Sequence, residues 1–322
     1  MNNVKACIMG GAVGDALGAP VEFKSRSEIL NQYGENGITD IHPAYGDDGC
    51  ITDDTQLTLF TAYALSLPCD SEEQRLNNVR EEYKKWYLTQ KKQYNSKLHT
   101  KGLLQFQSMW GDKSAGHTCL TSFQYLIEHN AEFPIPNDRK GCGAVMRSAP
   151  IGLYFEPEDA FDFAVEAANL SHNHPDGIYS AGAFAYLISL LDNQTEPFKA
   201  VEQTLEYLKS VTGETDTYFY SKHALNFAKK DFNMPMLNIL GQGWIGEQAL
   251  AIAIYCALTS KDFVSGVVNA VNHDGDSDST GAIAGNILGL IYGYEAIPTR
   301  WEHKLNTLAA IEWTCDELNK VL

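Results

Sequence analysis

The sequence lacks the cysteine patterns of small secreted domains and of structural zinc sites. Its seven cysteines are an odd number, and none of them forms a CxxC pair. A disulfide framework uses cysteines in pairs, and a zinc knuckle needs closely spaced ones. The pattern therefore excludes both and predicts free thiols in a reducing compartment.

Long apolar runs are missing as well. No window approaches twenty uninterrupted apolar residues, which is about the number that spans a bilayer. Residues 1–5 lead into a glycine-interrupted stretch without the apolar core of a signal peptide. We therefore expect a cytoplasmic protein with no membrane partner. Alternating β-branched runs with hairpin turns are nearly absent, and this favours an all-α fold.

Positive charge is scarce. The 322 residues include 24 Lys and Arg against 41 Asp and Glu, a formal net charge of −17. Such a surface repels nucleic acid, so we expect no nucleic-acid partner. An anionic ligand would have to be captured by local groups. No repeat or linker divides the chain, and we expect one domain over residues 1–322.

Apolar residues recur with the helical period along most of the chain. One predicted helix, 246–258, is almost wholly apolar and should be buried. Three loops, 24–50, 133–143 and 171–177, are the most likely to carry function. The predicted helices cover 53–67, 71–88, 158–170, 178–191, 198–211, 221–230, 246–258, 262–271, 278–292 and 301–318.

Glycines recur at four-residue spacing near both ends of the chain. Glycine inside a helix costs about 1 kcal/mol relative to alanine, so the stripes need a reason. We interpret them as positions where two helix backbones approach closely; flexible ends are the alternative. The stripes consist of Gly10, Gly14 and Gly18, and of Gly281, Gly285 and Gly289.

Two acidic segments, over two hundred residues apart, each precede an apolar helix. Carboxylates brought together repel unless cations lie among them, and hard divalent metals take oxygen ligands. We therefore predict a metal site that uses both segments. Helix capping is the alternative for the first segment, and a solvated turn for the second. The oxygen-bearing residues are Thr52, Asp53 and Asp54, and Asp276, Asp278 and Ser279.

Three further motifs have both a functional and a structural interpretation. The glycine-rich loop 141–148 offers backbone N–H groups to a phosphate, or is only a tight turn. Its Arg147 would contact phosphate or pair with a carboxylate, and pairing is favoured. The pair His172 and His174 would bind a polar ligand or cap a helix.

Two acidic residues lie near the N-terminal glycine stripe. Asp15, in an otherwise small and apolar helix, should hydrogen-bond buried groups rather than perform chemistry. Glu22, just beyond that helix, could reach a cleft or simply face solvent.

Five segments, in order along nearly the whole chain, together resemble the ADP-ribosylglycohydrolase family, which includes the dinitrogenase reductase-activating glycohydrolases. They read GAVGDALGAPVEF, TDDTQLTL, GCGAVMRSAPIGL, SHNHPDG and HDGDSDSTGAIAGNILG. The resemblance implies an all-α, single-domain orthogonal helical bundle with two Mg²⁺ ions, or Mn²⁺ instead. It implies hydrolysis of the bond between ribose C1 and a modified protein side chain, with arginine favoured as the acceptor.

The resemblance also assigns roles to individual residues. The loop from Gly141 through Gly143 and Ala144 to Met146 would hold the diphosphate, and His172 would contact ADP-ribose. Metal ligation would fall to Thr52, Asp53, Asp54, Asp276, Asp278 and Ser279.

The catalytic base is the least determined assignment. We expect Asp54 or Glu22 to deprotonate the attacking water. Some relatives place a mobile catalytic glutamate in the loop 24–50, and neither Glu28 nor Glu35 can be aligned with it.

The expected partner is an ADP-ribosylated protein. An immunity protein that blocks a cognate ADP-ribosyltransferase by contact is an alternative, with or without hydrolysis. A phosphohydrolase that uses the same metals is a third hypothesis for the function.

Overall fold

The computed structural model describes residues 3–97, 99–134 and 136–322. Over these ranges it contains α-helices, short 3-10 turns and two isolated β-bridges, Ala44–Asp47 and Gly141–Ile245, and no strand. The prediction of an all-α fold is confirmed. Residues 1, 2 and 135, which belong to the segments 1–5 and 133–143 discussed above, lie outside the described ranges.

The helices are α1 (Asn3–Gly18), α2 (Arg26–Tyr33), α3 (Asp53–Ser66), α4 (Glu72–Lys91), α5 (His117–Glu128), α6 (Ala149–Tyr154), α7 (Pro157–Ala168), α8 (Pro175–Asp192), α9 (Pro197–Thr212), α10 (Asp216–Phe227), α11 (Met234–Ile239), α12 (Gly246–Leu258), α13 (Phe263–Val271), α14 (Ser277–Tyr292), α15 (Thr299–Glu302) and α16 (Leu308–Asn319). The 3-10 turns are Ala19–Val21, Gly102–Gln105, Gln107–Met109, Val145–Arg147 and Tyr294–Ala296.

Helices α1 and α14 pack with their backbones in contact. A methyl group added to Gly14 would lie 2.0 Å from the carbonyl oxygen of Gly281, and one on Gly10 would lie 2.3 Å from that of Gly285. At the far end, a methyl on Gly289 would meet the carbonyl oxygen of Ala6 at 2.1 Å. The two helices therefore run antiparallel, and the prediction of close packing along the glycine stripes is confirmed.

The apolar helices form the core. Helix α12 is buried as predicted, and the main cluster of buried apolar side chains extends from Val4 to Leu318. The segment Asn3–Val21 is long and apolar enough to cross a membrane by length and composition, but 89% of its most apolar window is buried inside the fold. It lies there against α14, as a core helix does.

Two predicted segments differ from the structure, one because of a contact distant in sequence and one because of a local helix signal. The helix expected over 301–318 is broken into α15 and α16, because the N–H of Asn306 donates to the carbonyl oxygen of Gly49 at 3.2 Å. The loop 24–50 contains helix α2. Its start carries a capping box, in which Ser25 and Glu28 satisfy each other's backbone N–H.

We predict that Gly14→Ala destabilises the protein more than Gly266→Ala. The new methyl at Gly14 would meet fixed backbone, whereas at Gly266, in α13, it would meet mainly the mobile end of Leu288. Overpacking typically costs about 1–3 kcal/mol, while alanine gains about 1 kcal/mol of helix propensity. Thermal melts of the two variants test this. Equal melting temperatures would contradict the backbone contact.

Candidate active site

Asp15 joins α1 to the first acidic segment. Its carboxylate accepts hydrogen bonds from the backbone N–H groups of Thr52 (3.0 Å) and Thr55 (3.1 Å) and from both hydroxyls. Burial raises the pKa of Asp15 to about 6. Asp15 therefore fixes the start of α3, as its position in an apolar helix suggested.

The second acidic segment is held by its own hydrogen bonds. The N–H of Asp276 donates to the carbonyl oxygen of Gln242 at 2.8 Å, and His273 Nε2 lies 2.8 Å from Thr280 Oγ1. The Asp276 side chain caps α14 by accepting from the N–H of Ser279. Because α14 packs against α1, this segment arrives beside the start of α3.

Both segments open into one cavity of about 460 Å³. Of the residues predicted to form the site, Thr52 and Ala144 are fully or almost fully buried and do not line it. The Thr52 hydroxyl accepts from the N–H of Asp54 and lies within hydrogen-bonding distance of the carboxylates of Asp15 and Asp54. The predicted residues that do line the cavity are Glu22, Asp53, Asp54, Gly141, Gly143, Met146, His172, Asp276, Asp278 and Ser279.

The carboxylates in this cavity are crowded and poorly solvated. Burial, and after it the charges of neighbouring carboxylates, raises the pKa values of Asp54 and Asp278 well above the usual range. Burial also raises the pKa of Asp53 well above that range. The carboxylate of Asp53 accepts a hydrogen bond from the N–H of Gly116. Within the described ranges, no hydrogen-bond partner reaches the buried Oδ1 of Asp54. A buried carboxylate oxygen without a donor is costly, and a divalent cation would satisfy it. The residues present therefore fit an oxygen-ligated metal.

Glu22 lines the same cavity as Asp276 and Asp278. It accepts hydrogen bonds from the Tyr45 hydroxyl at 2.5 Å and from the Ser114 hydroxyl at 2.8 Å. Burial raises its pKa to about 7. The loop 24–50 thus contributes Tyr45 to the site, while Glu28 lies in the exposed capping box. Tyr45 and Ser114 carried no signal in the sequence, because each lies in a loop far from Glu22 in sequence.

Among the described residues, Arg147 contacts no carboxylate, and it does not line the cavity, so the pairing favoured from the sequence is wrong. The side chain is buried; its guanidinium donates to the carbonyl oxygen of Gly143 at 3.0 Å and to the Ser171 hydroxyl at 2.8 Å. It also stacks over the Tyr83 ring. Arg147 therefore connects the glycine-rich loop to the loop 171–177, which contains both histidines.

The glycine-rich loop also contacts the second acidic segment. The thiol of Cys142 donates to the carboxylate of Asp276 at 2.8 Å.

The two histidines have different roles. His172 lines the cavity, and its Nδ1 lies 2.8 Å from the Ser171 hydroxyl. Burial, with the nearby charge of Arg147, lowers the pKa of His172 to about 3, so the ring is neutral and can only exchange hydrogen bonds. His174 caps α8 by accepting from the N–H of Asp176 at 3.1 Å. This is the helix-capping role that the sequence left open for the histidines.

A second acidic cluster lies outside the cavity. Ligand atoms of Asp176, Asp216 and Glu247 lie within 4.8 Å of one another. Lys140 already supplies a cation there, through ion pairs with Glu247 and, at 3.5 Å, with Asp216. Because Lys140 directly precedes the glycine-rich loop, this pair anchors the loop to α12.

The all-α fold and the shared acidic cavity define a helical protein with a candidate metal-binding cavity, and the sequence comparison specifies its family. The family profile for ADP-ribosylglycohydrolase matches residues 1–322, so the chain belongs to the ADP-ribosylglycohydrolase family. A solved structure of an ADP-ribosylglycohydrolase-related protein complex is similar with a TM-score of 0.72 and 21% identity, covering 99% of this chain and 98% of that one. This likeness shows the fold.

Relatives of known name extend over most of the chain. It is 25% identical over 307 residues to an ADP-ribosyl-[dinitrogen reductase] glycohydrolase of Rhodospirillum rubrum, with 92% of this chain and 88% of that protein covered. It is 23% identical over 312 residues to ADP-ribosylarginine hydrolase Tri1 of Serratia proteamaculans, with 95% and 75% covered.

We predict that Glu22→Gln stabilises the metal-free protein in a pH-dependent way. The folded protein holds the Glu22 proton up to about pH 7, above the pKa of about 4.5 for an ordinary glutamate. Stability is therefore full at low pH and is lost as pH rises through this window. The melting temperature of Glu22→Gln, relative to wild type in chelator, should rise between pH 5 and 8 by an amount equivalent to roughly 1–3 kcal/mol.

Glu35→Gln, at an exposed glutamate outside the cavity, is the matched control and should keep a constant difference from wild type. A flat profile for Glu22→Gln would show that ionising Glu22 does not destabilise the fold.

We predict that Lys140→Met destabilises the protein by roughly 1–3 kcal/mol. This is less than the 3–5 kcal/mol for a fully buried pair, because the Lys140 side chain is 29% exposed. The loss arises because Glu247 stays buried without its cation. Adding Glu247→Gln should recover most of the melting temperature. Lys209→Met, which breaks the exposed pair with Glu214, should change it little. Equal effects of the two lysine substitutions would contradict the anchoring role.

Proposed function

We propose that this protein is a divalent-metal-dependent hydrolase that releases ADP-ribose from a modified protein side chain. One observation carries the proposal. Carboxylates from two segments at opposite ends of the chain line one cavity, and a buried oxygen of Asp54 there has no partner in the described ranges. The family membership supplies the chemistry of the substrate.

Asp53, Asp54, Asp276 and Asp278 would hold two Mg²⁺ or Mn²⁺ ions, with Ser279 as a further oxygen ligand. Thr52 would position Asp54 through hydrogen bonds between its hydroxyl and the carboxylate and backbone N–H of Asp54. When bound, the ions would balance the carboxylate charge and supply Lewis-acid polarisation. The glycine-rich loop would position the diphosphate through Gly141, Gly143 and Met146, with Ala144 packing behind it. Neutral His172 would donate or accept a single hydrogen bond.

Glu22 is our choice of general base over Asp54. A base works best when its pKa lies near the operating pH, and burial brings that of Glu22 to about 7. Tyr45 and Ser114 orient its carboxylate. Glu22 takes a proton from the attacking water, a new bond forms between that oxygen and ribose C1, and the bond from C1 to the acceptor breaks. The proton then passes to the leaving group, giving ADP-ribose and the free side chain.

Arginine is the acceptor we propose, since a relative that covers most of this chain is named an ADP-ribosylarginine hydrolase. The test is mass spectrometry of ADP-ribosylarginine and ADP-ribosylserine peptides incubated with the protein and Mg²⁺. Release of intact ADP-ribose supports the proposal, whereas release of inorganic phosphate would favour a phosphohydrolase. Stoichiometric inhibition of a cognate transferase by an Asp53→Asn/Asp276→Ala variant would favour the blocking role instead.

We predict that Asp276→Ala abolishes hydrolysis and weakens Mg²⁺ binding, measured by calorimetry, at least tenfold. Asp274→Asn is the matched control in the same acidic segment. The Asp274 carboxylate accepts from the N–H of Arg26 at 2.7 Å and does not line the cavity, so this variant should still bind Mg²⁺. Normal turnover by Asp276→Ala with Mg²⁺ present would refute the ligand assignment.

A further inference from the structure

Phe23 and Trp244 form a stacked aromatic pair beside the cavity. Their ring centroids are 5.5 Å apart, the ring planes are inclined by 18°, and both residues line the cavity. Phe23 is 70% exposed and Trp244 is 38% exposed. Large aromatic surface left in water at the edge of a binding cavity is available to a ligand.

The backbone on both sides of the pair is held in place. Phe23 directly follows Glu22, at the end of the turn Ala19–Val21 that continues α1. The carbonyl oxygen of Trp244 accepts from the N–H of Cys142 at 3.2 Å. The pair therefore lies between the glycine-rich loop and Glu22, the base proposed to act at ribose C1, which is the carbon that carries the acceptor.

The charge of the cavity limits what can bind beside these rings. Across the described ranges, its lining contains the carboxylates of Glu22, four aspartates of the acidic segments and Asp112, and no lysine or arginine. With the proposed ions balancing the four aspartates, Glu22 and Asp112 remain, and within the described ranges no basic side chain of the lining opposes them. Their charge disfavours an anionic acceptor and favours a cationic one. A guanidinium suits both features, because it is planar, stacks on aromatic faces and forks to carboxylates.

We propose that Phe23 and Trp244 recognise the guanidinium of an arginine acceptor and determine the preference for arginine-linked over serine-linked ADP-ribose. The rings are too close together to admit a group between them, so the guanidinium stacks on an exposed outer face. The inference rests on the proposed hydrolase function and assigns its acceptor specificity to two residues outside the metal-binding segments.

The experiment compares two peptides of one sequence that carry ADP-ribose on arginine or on serine. Phe23→Ala and Trp244→Ala should lose about tenfold in kcat/KM on the arginine-linked peptide, mainly through KM, and less than about twofold on the serine-linked one. Trp244→Phe should retain most of the preference. Affinity for free ADP-ribose, measured by calorimetry, should stay within about twofold of wild type.

The control is Phe219→Ala, another exposed aromatic that does not line the cavity; its kinetics should match wild type. Equal losses on both peptides with weaker ADP-ribose binding would assign the pair to the adenine and overturn the inference. Unchanged kinetics in both alanine variants would also overturn it. If the wild type cleaves neither peptide, the proposed function fails. Recognition of the guanidinium would then be supported if calorimetry shows that wild type binds the arginine-linked peptide more tightly than the serine-linked one and that Phe23→Ala and Trp244→Ala remove the difference.

Discussion

The direct contact between the backbones of α1 and α14 sets the geometry on which the site depends. A side chain on either glycine stripe would force the helices apart, because the space is already filled by carbonyl groups. Helix α1 also carries Asp15, which holds the first turn of α3. One helix therefore fixes both acidic segments, and the cavity follows from a packing arrangement rather than from attraction between the segments.

The assembled carboxylates oppose that arrangement. Burial removes water from Asp53, Asp54 and Asp278, and each of the three also has like-charged neighbours, as their raised pKa values indicate. The apolar core around α12 and α14 supplies the stabilisation that holds them together. In the proposed function, binding of divalent cations would relieve the repulsion that the scaffold holds in place.

Local patterns were enough to predict the all-α fold, the glycine contact and the structural role of Asp15. Contacts between distant segments were not predictable in the same way. Tyr45 and Ser114 reach Glu22 from separate loops, and Gly49 interrupts the last predicted helix by accepting from Asn306. Arg147 shows the limit most clearly. Its hydrogen-bond partners are two backbone carbonyls, a thiol and a hydroxyl, and an uncharged partner leaves no charge pattern in the sequence.

The glycine contact has a consequence for biosynthesis. A ribosome makes α1 first, yet the surface that covers its glycine face belongs to α14, more than 250 residues later. Until that stretch emerges, the nascent chain presents an apolar helix with uncovered backbone and an acidic segment without its counterpart. The cavity can therefore form only after the chain through α14 has left the ribosome, and until then α1 exposes apolar surface of the kind that favours aggregation.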